Sequence, residues 1–183
     1  MIQAGAVLGC CEKHVFLTNL TNEGRIINAG VPNSAVFGGV VGRAYSSSVM
    51  TNLVNKGTLE VADNAPAPYA LGGILGHAAT TGGTSIDGAT FEGTIKIGKN
   101  QTYDSAYNVG LFVGSAYVDN NTYKNFVVFE PAKYVVLYDN PITVTLTATN
   151  YLTVLKKSTE FTDITTGIRS IYGVDTPIAD YVT

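Results

Sequence analysis

Apolar residues in this chain stand in short runs or alternate with polar ones, and the runs are bounded by Gly, Asn and Pro. That is the punctuation of β-strands; the period of about 3.6 residues that marks an amphipathic helix is missing. The runs also recur. Ala4-Gly5-Ala6-Val7-Leu8-Gly9 is echoed by Phe37-Gly38-Gly39-Val40-Val41-Gly42, by Leu71-Gly72-Gly73-Ile74-Leu75-Gly76 and by Val109-Gly110-Leu111-Phe112-Val113-Gly114. The closing glycines follow one another at intervals of 33, 34 and 38 residues. A second phrase keeps pace: Leu17-Thr18-Asn19-Leu20-Thr21-Asn22-Glu23-Gly24-Arg25-Ile26 aligns with Met50 to Leu59 and, more loosely, with Ile86 to Ile95. Its glycines, at 24, 57 and 93, are 33 and 36 residues apart. Two landmarks stepping together signal stacked units that bury a core only against one another.

Strands that return once per repeat and stack in register are parallel and lie about 4.8 Å apart. The expectation is therefore an all-β fold: a short parallel β-solenoid (β-helix) of about four coils, about 20 Å tall at that spacing, with a β-rich C-terminal extension or cap. Three ladders are predicted. One runs through Val7-Leu8, Val40-Val41, Ile74-Leu75 and Phe112-Val113. A second runs through Leu17, Met50 and Ile86. The third runs through Ile26, Leu59 and Ile95, with Asn28, Val61 and Ile97 two residues on. Cys11, Ala44, Ala78 and Ala116 are uniformly small and predict an inward column, whereas Cys10, Arg43, His77 and Ser115 vary and predict a solvent-facing one. Asn19 with Asn52, and Asn22 with Asn55, predict amide ladders that satisfy turn backbones. Gly24, Gly57 and Gly93 are expected to mark a corner of positive φ. Glu23, Lys56 and Glu92 alternate in sign, and Glu60 is expected beside Lys96; exposed pairs of this kind contribute about 0–1 kcal/mol each.

The pattern Gly-Gly-[Val/Ile]-[Val/Leu]-Gly, carried by residues 38–42 and 72–76, precedes Asn-x-x-Asn-x-Gly-x-[Ile/Leu], carried by residues 52–59 and, in the first copy, 19–26. Together they resemble the GLUG-type repeats of large bacterial surface proteins, including the stalk regions of some immunoglobulin-A-cleaving metallopeptidases. The resemblance spans roughly residues 2–130. The third copy departs from it, with Gly88 and Phe91 in place of the asparagines. The family implies an extracellular structural or adhesive module and no catalytic residues.

The fourth copy decays. Tyr123-Lys124-Asn125-Phe126 keeps one asparagine, Val128 replaces the second, and Glu130-Pro131 replaces the corner glycine. Residues 1–130 are read as the repeat region and 131–183 as the extension, with strands expected at Tyr134–Tyr138, Ile142–Thr149 and Tyr151–Leu155. Residues 62–68 and 99–107 are expected as corner loops.

Composition narrows the function. Apolar residues make up 45% of the 183, ample for a core, but charged ones only 14%, against about 25% in an average soluble protein. A net charge of −3 leaves no basic footprint for nucleic acid. No run approaches the roughly 18 apolar residues of a membrane span. Met1 abuts the first repeat, so flanking domains or neighbouring subunits are expected. The two cysteines, Cys10 and Cys11, are adjacent, which suits neither a mutual disulfide nor a metal site.

Candidate chemistry is sparse. A Cys10–His14 dyad lacks an orienting acid. Glycoside cleavage needs two carboxyls about 5–10 Å apart, yet Asp63, Asp87, Asp104 and Asp119 are dispersed along the chain. Asp119-Asn120-Asn121 offers oxygen ligands for calcium but reads better as a polar turn. The glycine-rich phrase lacks the Lys-Ser/Thr of a nucleotide loop. Thr143, Thr145, Thr147 and Thr149 lie along one strand instead of across stacked ones, so they form no flat array. Tyrosines near corners, with Asp and Asn beside them, suit contact with a carbohydrate or a protein. The expected contact residues are Tyr69, Tyr103, Tyr107, Tyr117, Asp119 and Asn120. No cofactor is expected. The leading expectation is a non-enzymatic surface module, a rigid spacer or adhesin segment that binds a glycan or a host or cell-surface protein through its corner loops. The rival is a carbohydrate-active β-helix such as a polysaccharide depolymerase or tail-spike fragment.

Overall fold

The computed structural model describes residues 1–30, 35–45, 47–66, 68–79, 83–97, 108–110, 112–116, 122–128 and 133–136. Among them there is strand and turn but no helix, and so no helix long and apolar enough to cross a membrane. The strands fall into four consecutive groups. The first holds β1 (Gln3–Gly5), β2 (Leu8–Cys11), β3 (Phe16–Asn22) and β4 (Arg25–Asn28). The second holds β5 (Val36–Gly38), β6 (Val41–Ala44), β7 (Ser48–Asn55) and β8 (Thr58–Val61). The third holds β9 (Ala70–Gly72), β10 (Leu75–Ala78), β11 (Thr84–Phe91) and β12 (Thr94–Ile97). The fourth holds β13 (Asn108–Gly110), β14 (Val113–Ala116), β15 (Thr122–Val128) and β16 (Lys133–Val136).

Each group contributes one strand to each of four parallel sheets, in the orders β1-β5-β9-β13, β2-β6-β10-β14, β3-β7-β11-β15 and β4-β8-β12-β16. Register follows the repeat. Leu17 pairs with Met50 and Met50 with Ile86, Ile26 with Leu59 and Leu59 with Ile95, and Leu8 with Val41, Val41 with Leu75 and Leu75 with Val113. β16 pairs with β12, so the parallel pairing runs on to Val136, inside the segment assigned to the extension. The remainder of that segment, with the other two strands expected there and residues 99–107, lies outside the described residues.

The core is the stack of inward columns. Val40, Val41, Met50, Leu53, Leu59, Leu71, Ile74, Leu75, Ile86, Phe91, Ile95 and Phe112 are all fully enclosed, and each such side chain contributes about 1.5–3 kcal/mol by leaving water. Cys11, Ala44 and Ala78 are buried beside them, as their small size predicts. His77 is a correction. It shares a column with Cys10 and Arg43, yet it is only 3% exposed. The half-buried ring of Tyr69 meets it edge to face, with centroids 5.6 Å apart and planes at 89°. Edge-to-face contacts of this kind add about 0.5–1.5 kcal/mol beyond the area they bury.

The corner glycines are a second correction. Gly24, Gly57 and Gly93 do not have positive φ. Crowding selects glycine instead: a Cβ on Gly57 would strike the Gly24 carbonyl oxygen, and one on Gly93 the Gly57 carbonyl oxygen. Positive φ belongs to another column, where Asn19, Asn52, Gly88 and Asn125 have φ of 56°, 54°, 81° and 55°. Asparagine and glycine are the residues that tolerate this left-handed conformation. Gly88 therefore departs from the repeat in side chain but keeps its backbone. The left-handed residue also resets the alternation of faces. In β7 the buried residues are Ser48, Met50, Leu53 and Asn55, with a gap of three across Asn52.

The buried amides tie neighbouring groups together. Asn22 Nδ2 donates to Asn55 Oδ1 at 2.9 Å, and Asn55 Nδ2 donates onward to the Gly73 carbonyl at 2.7 Å. Both side chains also accept from the corner two residues ahead, from the N–H of Gly24 at 2.8 Å and of Gly57 at 2.9 Å. Outside, Asn52 Nδ2 donates to Asn19 Oδ1 at 3.1 Å. Glu60 lies between Arg25 at 2.8 Å and Lys96 at 3.6 Å, and Lys56 reaches Glu92 at 3.7 Å.

Candidate functional site

Of the six expected contact residues, Tyr69 lies just before β9. Its N–H donates to the Ala35 carbonyl at 2.8 Å, and its ring packs on His77. It is thus partly committed to the core of its corner. Tyr103, Tyr107, Tyr117, Asp119 and Asn120 lie outside the described residues, so the structure does not bring the set together.

The outer face of β2 and β6 carries a small polar cluster. The Arg43 guanidinium stacks 4.6 Å from the Tyr45 ring centre, and its Nη1 reaches Met1 Sδ at 2.8 Å. Arg43 lies in register with Cys10. Burial, with Glu12 adding to it, pushes the Cys10 thiol above its ordinary value, and Arg43 only partly offsets this. Burial also pushes Cys11 up to about 11, with Cys10 adding to the rise. A nucleophilic cysteine needs the opposite shift, so the Cys10–His14 pairing gains no support. His14 is exposed on the turn before β3, with φ of 38°.

The acids are similarly occupied. Asp63 is exposed in the loop after β8. Asp87, on the outer face of β11, accepts from Asn125 Nδ2 at 2.6 Å and faces Lys124 Nζ at 3.0 Å. Those hydrogen bonds, with the Lys124 charge, hold its carboxyl below the usual range. A general acid must instead hold its proton near neutral pH. Glu60 is paired on both sides. Among the described residues no group of three or more His, Cys, Asp or Glu could hold a metal.

What the described surface does offer is a groove of about 220 Å³ at the N-terminal ends of β7, β11 and β15. Ser47, Ser48, Thr84, Ser85 and Thr122 line it, with Val49 and Gly83. It is cut from stacked strand starts, since Ser48 pairs with Thr84, Val49 with Ser85, and Ser85 with Thr122. Ser48 Oγ donates to the Tyr45 carbonyl at 2.8 Å, which fixes one wall. Phe16, 76% exposed, stands in register with Val49 at the side of the groove. Ser48 and Thr84 are buried, so the hydroxyls of Ser47, Ser85 and Thr122, beside an exposed aromatic ring, are those placed to meet a polar chain by hydrogen bonds and stacking. The sequence reading did not single these residues out. The available signal was the serine run at 46–48, one repeat before Thr84-Ser85.

Comparison with known protein families, with curated proteins and with solved structures finds no match to this chain.

Proposed function

We propose that the chain is a short parallel β-solenoid of about four coils that serves as a non-enzymatic surface module, a rigid spacer or adhesin segment exported to the cell surface. One observation carries this reading. All four sheets take one strand from each consecutive group, in parallel register, so equivalent side chains stack along the molecule. Amide ladders and an enclosed apolar column make such a stack stiff without metal or disulfide, and stiffness is what a spacer requires. The GLUG-type phrases support the same reading from the sequence side. The serine- and threonine-lined groove beside Phe16 supplies the recognition surface, with a glycan or an extended protein segment as its ligand.

A glycan-array screen run beside a reducing-sugar assay tests this. Binding without new reducing ends is expected, weakened by Ser85→Arg, which fills the groove from its outer side. Release of new reducing ends would replace this reading with the carbohydrate-active one.

A further inference from the structure

Among the described residues, no strand pairs with the outer edges of β1, β2, β3 and β4. Exposure alone does not say what covers an edge, but the residues along this one specify an occupant.

The first mark is Gly24. Gly57 and Gly93 are glycines because the group stacked before each leaves no room for a Cβ. Gly24 holds the same place in the first group. A Cβ there would meet only Asn22 Oδ1, at 3.4 Å, an ordinary contact, and its backbone does not call for glycine. Nothing among the described residues demands glycine at 24. The carbonyl of one more parallel strand pair, added in the same register, would demand it.

The second mark is the amide column. Asn19 accepts from Asn52 with its oxygen, which leaves its own N–H donors to serve the opposite side. The third is the apolar edge. Val7 is 45% exposed, and Leu17, Leu20 and Ile26 are half-buried, whereas their register partners Met50, Leu53 and Leu59 are enclosed. These are the columns that already join the second group to the first, continued outward.

We propose that the β3–β4 edge is a docking surface for one further parallel strand pair of the same Asn-x-x-Asn-x-Gly pattern. The partner places a glycine corner over Gly24, an amide oxygen over Asn19 and apolar residues over Leu17 and Leu20. Main-chain hydrogen bonds supply affinity and the columns supply register, as in strand addition generally. A second copy docked head to tail fits less well. In its last described strands Val128 stands where the pattern has its second asparagine.

The test uses the full chain and a synthetic peptide with the sequence of Ser48–Val61, which carries both strands and the glycine corner. The readout is amide hydrogen exchange. Saturable protection of Phe16–Asn22 and Arg25–Asn28 is expected. Gly24→Ala should leave the melting temperature unchanged and weaken peptide binding by at least about tenfold. Absence of protection at about 1 mM peptide, the weak end of specific affinity, would overturn the proposal. Equal binding by Gly24→Ala would overturn it too. Self-association of the chain without peptide, seen by sedimentation, would assign the edge to a second copy and overturn the proposal in that way.

Discussion

The first and second strand groups carry nearly the same residues and live under different physics. Leu17, Leu20 and Ile26 in the first correspond to Met50, Leu53 and Leu59 in the second. Among the described residues the second set has a strand group on either side and is fully enclosed, whereas the first has one on a single side and is only half-buried. A column residue therefore owes its burial to its two neighbours along the stack more than to its own strand. In such a molecule stability is a sum of interfaces between neighbouring groups, and among the described residues the first group shares in only one.

The largest test of that contrast is truncation of matched leucines. Leu53→Ala should cost about 2–5 kcal/mol, because it removes transfer free energy and leaves a cavity lined on both sides. Leu20→Ala should cost no more than about half as much, because water already reaches its outer side and no closed cavity forms. Denaturant melts of the two variants give the ratio. Equal costs would mean that the first group is covered as well as the second, and the contrast would fail.

The glycine pair sharpens the same point with a smaller expected effect. Gly57→Ala drives a methyl into the Gly24 carbonyl and to 2.6 Å from Asn22 Nδ2, a case of overpacking that costs about 1–3 kcal/mol. Gly24→Ala meets nothing closer than 3.4 Å and should stay within the roughly 0.5 kcal/mol of a neutral surface change. Thermal melts decide it. A neutral Gly57→Ala would show that the stacked corners are loose.

These contrasts also show what could be read from the residues alone. The pairing of Leu17 with Met50 and Ile86 was legible because the apolar phrases recur at nearly constant spacing, and parallel pairing turns that spacing directly into register. The inward Cys11 column was legible from size. His77 was not, because variation across a column suggests solvent, whereas the residue that covers this ring, Tyr69, lies outside the column. The glycine corner was placed correctly with the wrong cause assigned. Composition shows that glycine is needed, but steric crowding and positive φ select the same residue. The groove at Ser48, Thr84 and Thr122 escaped notice because it arises from stacking strand starts across repeats, which no single repeat displays.

Cys10 and Cys11 give the smallest and most local test. Cys11 belongs to the first group yet is only 1% exposed, so its chemistry reports whether that group stays closed. Burial raises its thiol from the ordinary 9.0 to about 11. A thiol whose folded pKa lies above its unfolded value supports folding while both states are neutral, and that support is lost once the unfolded chain can ionise. Its contribution should therefore be whole below pH 9.0 and decline between 9.0 and about 11. Cys11→Ala should flatten that part of the stability–pH curve and leave the neutral region nearly unchanged. At neutral pH an alkylating reagent should modify the more accessible Cys10 first and reach Cys11 only as fast as the first group opens. If Cys11 were modified as fast as Cys10, the first group would be fraying freely, and the half-buried state of Leu17 and Leu20 would reflect that fraying.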